Sequence, residues 1–240
     1  MEVCDASDNA HWRLGGGRIR VFQDIIEQIQ ERPVPVNDLG PDIVLWKHNQ
    51  DDYKEFFSAT RTWEQIRVRR ERVDWSTVVW FTQAVPRFSF ITWLAIKDRL
   101  STGERMRVWG LHQECLLCGE RNETRDHLFF ACPYSYMVWL RVTGRLFGTR
   151  ITPDWQDTVA RIRYDRRSKL DTVLVRMVFQ MTVYHIWRER NARRHGKAWI
   201  PYEKLTSQID KTMRNRISSL KYSYGDKLAG LMRRWFEVTM

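Results

Sequence analysis

Cys115-Leu116-Leu117-Cys118-Gly119-Glu120-Arg121-Asn122-Glu123-Thr124-Arg125-Asp126-His127-Leu128-Phe129-Phe130-Ala131-Cys132 is the stretch on which the reading of this chain turns. Three of the four cysteines and one histidine fall within it. Two residues separate Cys115 from Cys118, eight separate Cys118 from His127, and four separate His127 from Cys132. The first pair can sit on a tight knuckle, and the second pair can face one way across a short helical turn, so the four can close a tetrahedral shell around one Zn2+. Filling every position with protein makes a structural site, whereas a catalytic zinc keeps one position open for water. A redox or disulfide role for Cys115 and Cys118 is the weaker reading, since that motif has neither a third cysteine nor a histidine at ligand spacing, and no βαβ unit is evident around it. Unliganded core thiols are the blandest alternative. His112 precedes Cys115 closely enough to compete as a ligand. His127 is preferred because Asp126 reads as a helix N-cap, and Leu128, Phe129 and Phe130 would pack the finger against the domain. Cys4 stands near the terminus and is given no role.

The flanking pattern is mostly helical. Phe22, Ile25, Ile26 and Ile29 predict a short amphipathic helix that stops at Arg32-Pro33, followed by a linker to Pro41. Ile43 to Trp46 and Phe56-Phe57 read as short strands, and Trp63 with Ile66 as one helix face. Pro86 opens a helix with Phe90, Trp93 and Leu94 inward, and Thr102 caps another that ends at Gly110. Tyr136, Trp139, Leu140 and Leu146 mark a helix after the finger. Beyond Pro153, an apolar stripe from Leu170 to Trp187 and a second at Leu205, Ile209, Met213, Ile217 and Leu220 predict two long helices. Leu228, Leu231, Met232 and Trp235 predict a third, capped by Asp226. The fold class expected is mainly α, a small zinc-stapled α-rich domain with a few short strands followed by a basic helical hairpin or bundle. The expected division is 1–42 as N-terminal helix and linker, 43–150 as the zinc-binding domain, and 151–240 as the basic helical region.

A family resemblance rests on particular residues. Cys115 to Cys118, Glu123-Thr124, His127-Leu128-Phe129, Cys132-Pro133 and Val138-Trp139 resemble the reverse-transcriptase zinc-binding domain of plant non-long-terminal-repeat (LINE-type) retrotransposons. Upstream, Trp80, Pro86, Phe90, Trp93, Leu94 and Asp98-Arg99-Leu100-Ser101-Thr102 resemble the part of that domain before its first cysteine. The resemblance spans roughly residues 43 to 147, and Ile186-Trp187-Arg188-Glu189-Arg190-Asn191 resembles a helix that often follows. It departs at Asp51-Asp52-Tyr53, where the family suggests a glycine turn. The resemblance implies a part of a retroelement protein that lies downstream of a polymerase. The only adjacent aspartates are Asp51 and Asp52, in a polar run that reads as a turn rather than a site for catalytic magnesium ions. No phosphate-binding loop, nucleophile elbow or His-Glu-x-x-His helix is present. The expectation is therefore a non-catalytic protein.

Charge locates the binding surface. The net charge of +11 is carried by the second half: residues 1–140 hold 18 Lys and Arg against 20 Asp and Glu, whereas residues 141–240 hold 22 against 9. The finger itself has more acids than bases, which makes it a poor main contact for phosphates. Two segments stand out: Arg161, Arg163, Arg166, Arg167 and Lys169 around Tyr164, and Arg188, Arg190, Arg193, Arg194 and Lys197 between Trp187 and Trp199. Arginine forks grip phosphates and a neighbouring aromatic can stack an exposed base, although each segment also reads as a solvated helix end. The expected partner is RNA or DNA bound without sequence specificity, beside a polymerase-bearing protein. The alternative is a protein-interaction or structural fragment, a retroelement relic with no nucleic-acid role. No membrane role is expected, and cysteines at metal-ligand spacing suit the nucleus or cytoplasm rather than secretion.

Overall fold

The computed structural model describes residues 6–8, 11–14, 20–34, 43–148, 151–224 and 230–239. Cys4, Asp226, Leu228 and much of the linker before Pro41 lie outside them. The chain forms two compact units, Met1–Glu71 and Arg72–Met240.

Among its described residues the first unit holds two minimal hairpins and two helices. Strands β1 (Ser7–Asp8) and β2 (His11–Trp12) pair antiparallel, and helix α1 (Arg20–Gln30) follows at the predicted place. Strands β3 (Trp46–Lys47) and β4 (Tyr53–Lys54) pair with Trp46 opposite Lys54. Asp51 and Asp52 lie in the turn between them, where the Asp52 carbonyl accepts from the His48 amide at 2.7 Å. Phe56-Phe57, expected as a strand, lies past the end of β4; its pairing is taken by Tyr53–Lys54 because that turn is short. Helix α2 (Ala59–Ile66) starts at Ser58, whose hydroxyl accepts from the Arg61 amide.

The second unit is helical among its described residues: α3 (Ser76–Val79), α4 (Pro86–Ile96), α5 (Gly103–Arg107), a π-helical turn (His127–Ala131), α6 (Pro133–Thr143), α7 (Trp155–Tyr164), α8 (Lys169–Arg194), α9 (Tyr202–Tyr224) and α10 (Leu231–Thr239). The fold is mainly α, as the periodicities require. Helix α8 is its axle, packing against α3, α4, α6, α7, α9, α10 and the π-helical turn. Its apolar stripe is wider than one face: Leu174, Val175, Met177, Val178, Phe179, Val183 and Ile186 are all buried, as suits a helix enclosed on every side. Gln180, buried in the middle of it, donates to the Val78 and Val79 carbonyls at 2.9 and 2.8 Å and accepts from Ser89, so its polar atoms are satisfied.

One inward assignment changes. Phe90 is 51% exposed, because α4 turns Phe88, Ser89, Thr92 and Ala95 toward the core. On α6, Val138, Trp139 and Val142 are buried and Leu140 is 39% exposed. The finger is not appended to this helical body but grows into it. Phe130 on the π-helical turn lies 5.2 Å from Trp139, 5.5 Å from Trp155 and 6.2 Å from Phe179, ring centre to ring centre. These rings join residues on the finger, α6, α7 and α8 into one core.

Candidate metal centre

Each donor is placed by local backbone chemistry. The Cys115 amide donates to the Glu120 carbonyl and the Gly119 amide to the Cys115 carbonyl, both at 2.7 Å, which folds Cys115 to Cys118 into a knuckle. His127 begins the π-helical turn, and the Cys132 amide donates across five residues to the His127 carbonyl at 2.7 Å. On an α-helix, residues five apart point about 140° away from each other. The wider π turn brings the imidazole and Cys132, the residue preceding α6, to one side. Asp126, expected to cap this turn, pairs with Arg125 instead; Thr124 supplies the cap, its hydroxyl accepting from the His127 amide at 3.0 Å. The cap falls on Thr124 because helical backbone already begins at Arg125.

The donor atoms of Cys115, Cys118, His127 and Cys132 all lie within 4.8 Å of one another, close enough to hold one metal ion. Cys115 Sγ and Cys132 Sγ are 4.0 Å apart and Cys118 Sγ and His127 Nε2 are 3.2 Å apart. A tetrahedral shell with metal–sulfur bonds of about 2.3 Å has sulfur–sulfur edges of about 3.8 Å, so the cluster needs little adjustment to close on an ion. Three sulfurs and one imidazole form a soft donor set that fits zinc. His112 is not part of the cluster; it lines a separate cavity with Arg107, Gln113 and Arg121.

Protonation is tuned toward ligation in part. The hydrogen bond from Cys115 lowers the Cys132 thiol, while that same bond and burial push Cys115 well above the usual thiol range. Burial raises Cys118 and lowers His127, leaving the imidazole neutral at pH 7, the form that binds metal. An arriving ion must displace the thiol protons, so binding weakens as pH falls.

The scaffold behind the cluster was hidden in the sequence. Glu123, in the middle of the finger, is completely buried and receives the Arg190 guanidinium through three contacts of 2.6–3.2 Å. The Gly103 amide donates to the same carboxylate at 2.9 Å, and a Cβ on Gly103 would collide with the Gln113 carbonyl, so only glycine lets α5 approach this closely. Three residues along α8, Arg193 donates to the Leu116 and Leu117 carbonyls of the knuckle at 3.1 and 3.3 Å and pairs with buried Glu189 at 2.9 Å. Arg193 is thus a three-way fork, with Nη1 holding the segment between two ligands, Nε on Glu189 and Nη2 on the Ile200 carbonyl. Substituting Arg193→Lys removes that fork while keeping the charge, and is expected to weaken metal retention about 10-fold or more in chelator competition. Retention equal to the parent protein would show that the knuckle holds its shape unaided.

These contacts revise the basic surface. Arg190 is withdrawn from it, because its guanidinium is fully buried against Glu123. Arg193 is committed to Glu189 and the knuckle. At the other end of α8, Arg161 and Arg167 pair with Asp165, and Arg163 pairs with Asp74. Arg166, Lys169, Arg188, Arg194 and Lys197 remain exposed and form no ion pair among the described residues, with Arg188 donating to Gln208. These five cations sit toward the two ends of α8, whose 26 residues span about 38 Å. They form two basic ends rather than one patch.

Residues 57–139, about a third of the chain, match the family described as zinc-binding in reverse transcriptase. The matched segment includes all four residues of the cluster. No curated protein and no solved structure matches the chain.

Proposed function

We propose that this protein is a zinc-binding, nucleic-acid-binding module derived from the C-terminal part of a plant LINE-type retrotransposon reverse transcriptase and is not itself an enzyme. The observation that carries the reading is the cluster of three cysteines and one histidine, inside a segment that matches a reverse-transcriptase zinc-binding family. Zinc, held by Cys115, Cys118, His127 and Cys132, would be a closed structural ion that fixes the finger against α8. Supporting the non-catalytic part, Asp51 and Asp52 occupy a hairpin turn, with Asp52 paired to Lys54. The five unpaired cations of the two candidate segments and the basic excess after residue 140 suit a polyanion, RNA or DNA, held near a polymerase-bearing protein. Unoxidised thiols at a metal site suit the nucleus or cytoplasm. No helix among the described residues is long and apolar enough to cross a membrane.

A second reading has its own observation. In the first unit Trp46, Phe56, Phe57, Trp63 and Ile66 are all exposed by 43–70%, an apolar surface that suits a protein partner. Salt separates the two. If all five free cations contact phosphates, the log–log slope of affinity against salt is about −4.5 on duplex and about −3.5 on single strands. A slope near zero, or no binding at low salt, would leave only the protein-partner reading.

A further inference from the structure

We infer that Trp199 is a stacking platform for an unpaired base, which makes single-stranded nucleic acid the preferred ligand at the C-terminal end of α8; the inference rests on the nucleic-acid reading above. Trp199 lies in the short connection between α8 and α9 and is 67% exposed. Its loop is nevertheless pinned on both sides. Helix α8 ends at Arg194 and Gly196, two residues on, reverses the chain with a φ of 70°, while the Lys197 amide returns to the Ala192 carbonyl at 3.0 Å. On the far side, the Ile200 amide donates to buried Glu189 at 3.1 Å, and the Ile200 carbonyl accepts from the Tyr134 hydroxyl at 2.9 Å and from Arg193 at 3.4 Å. The indole is therefore presented to solvent by an ordered backbone. An indole left in water forgoes the gain of burial, and here the surrounding bonds hold it in that position.

The chemistry around it selects the ligand. The Arg193 guanidinium lies between the Tyr134 ring, 4.7 Å away, and the Trp199 ring, 5.8 Å away. Arg194 and Lys197, exposed and outside any ion pair among the described residues, precede the indole by five and two residues and can take phosphates of a strand whose base stacks there. Phosphate contacts alone do not distinguish a duplex from a single strand, but an aromatic face requires a base that is out of its pair. Of two other exposed aromatics, Tyr164 is followed directly by the carboxylate of Asp165, and Trp109 lies between Val108 and Leu111 in an apolar run. Because Arg193 also bonds the knuckle carbonyls, the platform and the metal centre share one support.

The test uses the full chain loaded with zinc, titrated by fluorescence polarisation against labelled single-stranded RNA, single-stranded DNA and duplex DNA of equal length. Trp199→Ala is expected to weaken single-strand binding roughly 5- to 100-fold with duplex affinity and salt slope unchanged, and Trp199→Phe to keep most of the parent affinity. Trp199→Lys distinguishes stacking from charge: it loses the single-strand preference although it adds a cation. Single-strand affinity unchanged in Trp199→Ala, or a tighter complex with Trp199→Lys, overturns the platform while leaving the nucleic-acid reading intact. A parent protein that binds none of the three probes at low salt overturns both.

Discussion

Arg190→Ala will destabilise the protein by about 3–5 kcal/mol, a large share of the stability of an ordinary domain. The size follows from what is left behind. Glu123 has no exposed surface, and without the guanidinium its carboxylate keeps, among the described residues, only the Gly103 amide as a donor. The attraction within the pair is not what is lost; the cost is that of an uncompensated buried charge. A double substitution, Glu123→Gln with Arg190→Met, should therefore recover part of the loss, because no charge then remains to be paired. Urea unfolding followed by circular dichroism reads both. A single variant within about 1 kcal/mol of the parent would mean that the pair does not anchor the finger to α8.

Cys132→Ser will have an effect of the same order or larger, through the metal. Cys132 is completely buried and joins the π-helical turn to α6, so this ligand lies where the finger meets the core. Structural zinc contributes apparent binding free energies of about 10–16 kcal/mol to folding, more than most domains possess in total. The expected result is loss of cooperative unfolding and of near-ultraviolet dichroism from the Phe129, Phe130 and Trp139 region. The long helices then retain much of their far-ultraviolet signal. Chelator should reproduce this in the parent protein. Acid should assist it, since protonation of the Cys and His ligands competes with the metal as pH falls. Cys118→Ser, on the exposed side of the cluster, should weaken the site less because water can reach the vacated position. Equal cooperativity with and without chelator would show that the helical core stands without an ion.

What could be read in advance depended on sequence distance. The four donors lie within one short stretch and carry a spacing that chemistry constrains, so they are legible without a fold. The apolar stripes of α8, α9 and α10 are equally local, and Leu205, Ile209, Met213, Ile217 and Leu220 are all buried as their period requires. Helix faces are less determined: Phe90 has the residue type of a core side chain, but the side of α4 that meets α8 leaves it in solvent. The supporting shell was illegible for a stronger reason. Glu123 and Arg190 are 67 residues apart, and nothing in a run of arginines marks which one turns inward. The same holds for Arg193, which looked like a phosphate ligand and instead braces Leu116 and Leu117. Thr124 could have been found, since a threonine three residues before His127 can cap as well as the aspartate beside it.

Zinc-edge X-ray absorption on the purified full chain, with the metal counted per protein, tests the central claim most directly. One zinc per chain is expected, with three sulfurs at about 2.3 Å and one nitrogen at about 2.0–2.1 Å, the nitrogen being lost in His127→Ala. A shell dominated by oxygen, or one unchanged by His127→Ala, would contradict the assignment of Cys115, Cys118, His127 and Cys132 as the ligands.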